Sequence, residues 1–146
     1  MRGCTCNQPK CCTLCSDPRL ELIYDDARAQ LENYTGTFDV IIGDLADPVF
    51  GGPCYQLYTD DFYQNVVSKK LNPGGIFATQ SGPCGLLTAG EVFSSIHSTL
   101  KASFPTVIPY QTHIPSFADV WVRCSCPGFS PGLFQFGKCA HVACGI

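Results

Sequence analysis

From Asp17 to about Arg123 the apolar positions keep changing period, from short continuous runs to a three-and-four spacing and back. Strands and helices that alternate in this way build an α/β sheet. Leu20, Leu22, Ile23 and Tyr24 after Pro18 read as a short strand, and DDARAQLEN as a helix with acids in its first turn. Phe38 to Gly43, apolar apart from Asp39, reads as a buried strand. The spacing then predicts an amphipathic helix over 57–71, with Leu57, Phe62, Val66, Val67 and Leu71 inward and Asp60, Asp61, Lys69 and Lys70 outward. NPGG at 72–75 should stop that helix before a strand over 76–80. A second helix is expected over 91–104 on Val92, Phe93, Ile96 and Leu100, followed by strands over 106–110 and 120–122.

The buried run at Phe38 ends in two acids, Asp44 and Asp47, and a Gly/Pro turn. In an open parallel sheet ligands sit beyond the carboxyl ends of the strands, so acids there are placed to meet a substrate. Asp and Pro also make ordinary strand-to-loop exits. Asp26 alone reads as an acid in a helix's first turn. Asp39 reads as structural, and Tyr55, Tyr58 and Tyr63 as core or rim. His97 is expected to be exposed, and His113 and His141 have no metal-like partner spacing.

Composition narrows the classes. At 146 residues and 45% hydrophobic the chain suits one ordinary globular domain. It holds no apolar run long enough to span a bilayer, and its first residues lack the apolar core of a secretory signal, so a cytoplasmic protein with no membrane partner is expected. All twelve acids lie between Asp17 and Arg123, against six bases there. That acidic middle argues against nucleic acid and suits a cationic ligand.

The eleven cysteines crowd the ends: five in the first sixteen residues and four from Cys124 onward. The chain therefore divides into a Cys-rich segment 1–16, a regular segment 17–123 and an irregular Cys/Gly/Pro-rich tail 124–146. A Cys-rich metal-binding module is one alternative reading, since Cys12 and Cys15 form a C-x-x-C step. Tetrahedral zinc usually takes two such pairs, and only one is present, so no metal site is expected.

The blocks DPRLELIYDDARAQLE, FDVIIGDLADPVFGGPCYQLYTDDFYQNVV, LNPGGIFATQSGP, EVFSSIHSTLKASF and VIPYQTHIPSFADVW, in this order, resemble the C-terminal part of the polyamine aminopropyltransferases, and most of all their plant thermospermine-forming branch. The resemblance implies a partial Rossmann-like, methyltransferase-type sheet with flanking helices and irregular Cys-rich ends. It implies transfer of an aminopropyl group from decarboxylated S-adenosylmethionine, a co-substrate, to a polyamine, with spermidine converted to thermospermine and no cofactor.

Carried over residue by residue, the D-x-x-D-P element makes Asp44 the general base and Asp47 an anchor for the amine. Pro53 would line the nucleoside side, Asp26 with Ala27 would meet the adenine, and Tyr58 and Gln80 would be pocket walls. Phe117 and Asp119 fall where the family closes the amine site, and Phe in place of the Tyr usual in spermidine synthases favours the thermospermine-like branch. Association with itself or with other family members is implied as well.

Family members carry a β-rich N-terminal domain, a Gly-rich loop and a ribose-binding acid ahead of the DPRLEL block. No G-x-G motif precedes a helix in this sequence. A truncated or mis-spliced product, with 1–16 and 124–146 as non-family sequence, is therefore expected. Its activity alone is open, and the alternative is a non-catalytic fragment that associates with full-length subunits.

Overall fold

The computed structural model describes residues 18–117, 119–127 and 138–143. Five strands form one sheet in the order β3-β4-β2-β1-β5. Strands β1 (Phe38–Asp44) and β2 (Leu71–Pro83) pair in parallel at its centre. On one side β4 (Asp119–Pro127) runs antiparallel to β2, and β3 (Ile108–Ile114) runs antiparallel to β4. On the other side β5 (Cys139–Ala143) lies parallel to β1. This is the expected mixed α/β sheet with flanking helices.

Helix α1 (Ala27–Asn33) starts where Asp26, in extended conformation, accepts from the Ala29 N–H at 3.0 Å. The helix expected from Leu57 is broken into a 3-10 turn, Tyr55–Leu57, and a later stretch wound as a π-helix over Phe62–Val67, which passes into α2 (Ser68–Lys70). The Ser68 N–H and hydroxyl both donate to the Tyr63 carbonyl five residues back. The wider turn lets Phe62, Tyr63, Val66 and Val67 all reach the core. Helix α3 (Phe93–Ser103) buries Ile96 and Leu100, and its His97 is half-buried against the Phe93 ring rather than exposed.

Three further expectations need correction. Leu20, Leu22, Ile23 and Tyr24 form no strand and are all exposed. The helix does stop before NPGG, but the strand expected over 76–80 begins earlier: β2 runs through NPGG, and the pairing shifts so that Phe38 faces Leu71 while Val40 faces Ile76. The tail contributes structure, because Cys124–Pro127 extends β4 and Cys139–Ala143 forms β5.

The carboxylate of Asp39 helps hold that last strand. It accepts from the Lys138 N–H and from the Asn72 side-chain amide, each at 2.8 Å, and so ties the entries of β5 and β2 to β1. The core lies between the sheet and the helices. Tyr63, Phe77 and Phe104 form its aromatic centre, with ring centroids 5.5 to 6.3 Å apart.

Candidate functional site

Strand β1 delivers Asp44 at its carboxyl end and hands the chain to the Leu45–Pro48 loop. Behind Asp44, Ile41 and Gly43 are buried, so the strand end is fixed while the acid stands in solvent. Two basic side chains face its carboxylate. Arg123 of β4 approaches one oxygen at 3.7 Å, and His141 of β5 approaches the other at 3.7 Å. All three are at least a third exposed, so the attraction between them is screened.

Asp47, half-buried, belongs to a tighter assembly centred on Gln80 of β2. The Gln80 side-chain amide donates to the Leu45 carbonyl at 2.6 Å, to the Asp47 carboxylate at 3.0 Å and toward the Tyr58 hydroxyl at 3.4 Å. Its oxygen accepts from the Trp121 indole N–H at 2.5 Å and from the Gly82 N–H at 3.2 Å. Tyr58, itself buried, also donates to the Leu45 carbonyl at 3.4 Å. Burial pushes the Tyr58 phenol well above its ordinary range, partly offset by the bond from Gln80, so the hydroxyl stays neutral.

Gly82 adopts φ +82°, a conformation only glycine takes without strain. A Cβ there would sit 3.0 Å from Val92 and 3.7 Å from the Asp47 carboxylate. The backbone therefore passes close by the acid. Phe117 packs on Trp121 with centroids 4.8 Å apart and is itself mostly exposed, which makes an aromatic rim beside the Gln80 cluster.

The structure thus brings Asp47, Tyr58, Gln80 and, through Trp121, Phe117 into one continuous contact set next to the strand end that carries Asp44. Asp119 is engaged elsewhere. Its carboxylate accepts from the Thr88 hydroxyl at 2.9 Å and from the Val120 N–H at 2.7 Å, and it clasps the turn at Gly85. Asp26 serves as the N-cap of α1, as its sequence position suggests without any resemblance; Ala27 is half-buried beside it and Pro53 is exposed.

Trp121 and Arg123 carry no site reading in the sequence, and His141 is weighed there only as a metal ligand. Only Trp121 left a signal there, as the last residue of the VIPYQTHIPSFADVW block. His141 reaches Asp44 from the neighbouring strand β5, and Arg123 reaches it from β4 across the intervening β2. Among the described residues no three His, Cys, Asp or Glu side chains converge as a metal cluster, and Cys84, Cys124 and Cys139 are free thiols. The cysteines between Cys4 and Cys15 lie outside the described residues.

An open cleft of about 620 Å³ adjoins the assembly between the Pro48–Asp60 segment and α3, with Tyr55, Tyr58, Glu91, Ser95 and Thr99 among its walls. Tyr58 is shared: it lines the cleft, and its hydroxyl lies 3.4 Å from the Gln80 amide.

Against known proteins, the sequence model described as the spermine/spermidine synthase domain matches residues 3–127. The thermospermine synthase ACAULIS5 of Arabidopsis thaliana is 58% identical over 103 residues, which is 70% of this chain and 30% of that protein. A polyamine aminopropyltransferase of Aeropyrum pernix is 39% identical over 72% of this chain and 33% of its own length. The chain therefore spans about a third of the curated relatives it matches.

Among solved structures, a spermidine synthase in complex with the transition-state analogue AdoDATO superposes with a TM-score of 0.70 at 24% identity, over 81% of this chain and 39% of that one. The spermidine synthase of Thermotoga maritima gives 0.66 at 23%, over 81% and 38%. These two likenesses establish the fold.

Proposed function

The chain belongs to the spermine/spermidine synthase family, and we propose that its Asp44/Asp47 region is the amine half of an aminopropyltransferase site. The amine is a polyamine, with spermidine as acceptor and thermospermine as product. The donor is decarboxylated S-adenosylmethionine, bound as a co-substrate with no resident cofactor or metal. One observation carries the reading: a half-buried carboxylate, Asp47, is oriented by a buried amide at the carboxyl end of the central strand, beside a second, solvent-facing carboxylate.

The chemistry needs both acids. A polyamine arrives protonated, and a protonated nitrogen has no lone pair. Asp44, facing solvent, takes the proton from the attacking amine. The freed pair then forms a C–N bond to the carbon beside the donor's sulfonium, the C–S bond breaks, and methylthioadenosine leaves neutral with the electron pair. Asp47 stays anionic and holds an ammonium by a charge-assisted hydrogen bond.

Tyr58 and Gln80 wall the amine, and Phe117 supplies an apolar rim for its methylenes. Asp119 shapes the same side by holding the Gly85 turn. On the donor side, Pro53 faces the nucleoside and Asp26 with Ala27 meets the adenine. We place this chemistry in the cytoplasm, with pairing to itself or to other family members, and with 17–123 as the catalytic segment flanked by 1–16 and 124–146.

The test supplies decarboxylated S-adenosylmethionine with spermidine, or with putrescine as comparison, and follows methylthioadenosine release. Wild-type protein releases it with spermidine. Asp44→Asn, which keeps the shape but cannot accept the proton, lowers the rate by about 100-fold or more, the usual contribution of a positioned base. Equal turnover by the variant removes Asp44 from the mechanism.

A further inference from the structure

The Gln80 amide is held by donors on one end and acceptors on the other, and that asymmetry fixes which end meets Asp47. The Trp121 indole N–H at 2.5 Å and the Gly82 N–H at 3.2 Å both require an acceptor, so the amide oxygen must face them. The NH₂ is then left to face the Leu45 carbonyl at 2.6 Å and the Asp47 carboxylate at 3.0 Å. Rotating the amide by half a turn would set its oxygen against two acceptors and its NH₂ against two donors. Gln80 is buried, so water cannot make good that loss.

We propose that Trp121 is a positioning residue for the amine site, acting on Asp47 through Gln80. This rests on the reading of Asp47 as the ammonium anchor. Trp121 holds the Gln80 oxygen, Gln80 in turn holds one oxygen of Asp47, and the other carboxylate oxygen is left oriented for the ligand. The indole ring does a separate job, since it also packs on Phe117. Trp121→Phe keeps an aromatic ring for that contact and removes the N–H donor together with part of the indole.

Two readouts on the full chain separate this inference from the functional reading beneath it. In ¹⁵N-labelled protein the Gln80 side-chain NH₂ gives a slowly exchanging signal pair that shifts when Asp47 is changed to Asn. Trp121→Phe speeds exchange of that pair by about tenfold or more and abolishes the response to Asp47. This signal needs no ligand, so it decides the inference even if spermidine fails to bind, an outcome that would sink the amine-site reading by itself.

Where spermidine binds, Trp121→Phe weakens it by about 2- to 13-fold, the fold-change equivalent to one neutral hydrogen bond. The double variant Gln80→Leu/Trp121→Phe binds no worse than Gln80→Leu alone, because the path runs through the amide. Additive losses, or an unaltered Gln80 signal in a Trp121→Phe protein whose melting temperature is unchanged, overturn the inference.

Discussion

Asp44 and Asp47, three positions apart in the chain, are held in different ways. Asp47 has a 3.0 Å bond from a buried amide, whereas among the described residues Asp44 meets longer, solvent-screened contacts from Arg123 and His141. Such a division suits one group that must keep its charge and orientation and another that must exchange protons.

Tyr58 offers a residue-scale test of the polar cluster. Burial raises its phenol above the ordinary value of 10.0, and burial likewise raises the Cys124 thiol above 9.0. Below those values the folded and unfolded chains both hold the protons. Above them the unfolded chain releases protons that the folded one keeps, so stability falls as the pH rises. Urea unfolding as a function of pH should show a loss beginning near pH 9 and steepening above pH 10. Tyr58→Phe should flatten the upper part, and an identical slope in the variant would show that Tyr58 is not the group responsible.

At the scale of elements, the strands were legible where burial and sequence agree. Phe38 to Gly43 reads as β1 because an apolar run covered on both faces leaves little alternative, and α3 reads from the spacing of Ile96 and Leu100. Leu20 to Tyr24 carries a similar apolar signal, but a strand exists only with a partner. The free edge of β1 is taken by Cys139–Ala143, and the sheet's outer strands are β3 and β5. That last strand could not be read from its own residues, CAHVA, which neither alternate nor form an apolar run.

The π-wound stretch had no sequence signal beyond its inward residues, since the register follows from packing Tyr63 beside Phe62 against the core. The Asp39 side chain makes one hydrogen bond to the entry of β5 and one to the entry of β2, beside the backbone pairing of β1 with β5. Asp39→Ala should lower unfolding free energy by about 1–3 kcal/mol, as expected for losing two hydrogen bonds to a carboxylate, one part-buried and one exposed. It should also raise hydrogen exchange in Ala140–Val142 more than in β3. Uniform loosening of the sheet would show that Asp39 does not act as a local clasp.

For the molecule as a whole, the family was legible because several blocks recur in order, and the match over residues 3–127 agrees. The site was legible in part. Asp44, Asp47, Tyr58 and Gln80 stand near one strand end because a parallel sheet gathers carboxyl ends, a rule that acts on any sequence with this topology. Trp121 enters from a strand running the other way, and its role depends on pairing Pro83 with Trp121 across β2 and β4. No local motif encodes that register. Asp26, by contrast, shows a cap geometry that its own sequence neighbourhood explains.

The central claim is that Asp47, set by Gln80, grips a polyamine. Calorimetric titration of spermidine into the full chain and into Asp47→Asn tests it without requiring the donor or turnover. The account predicts saturable binding to the wild-type protein and a loss of about tenfold or more in Asp47→Asn, as expected when a charge-assisted hydrogen bond is removed. Equal affinity in the two proteins, or no binding to the wild type, would contradict it.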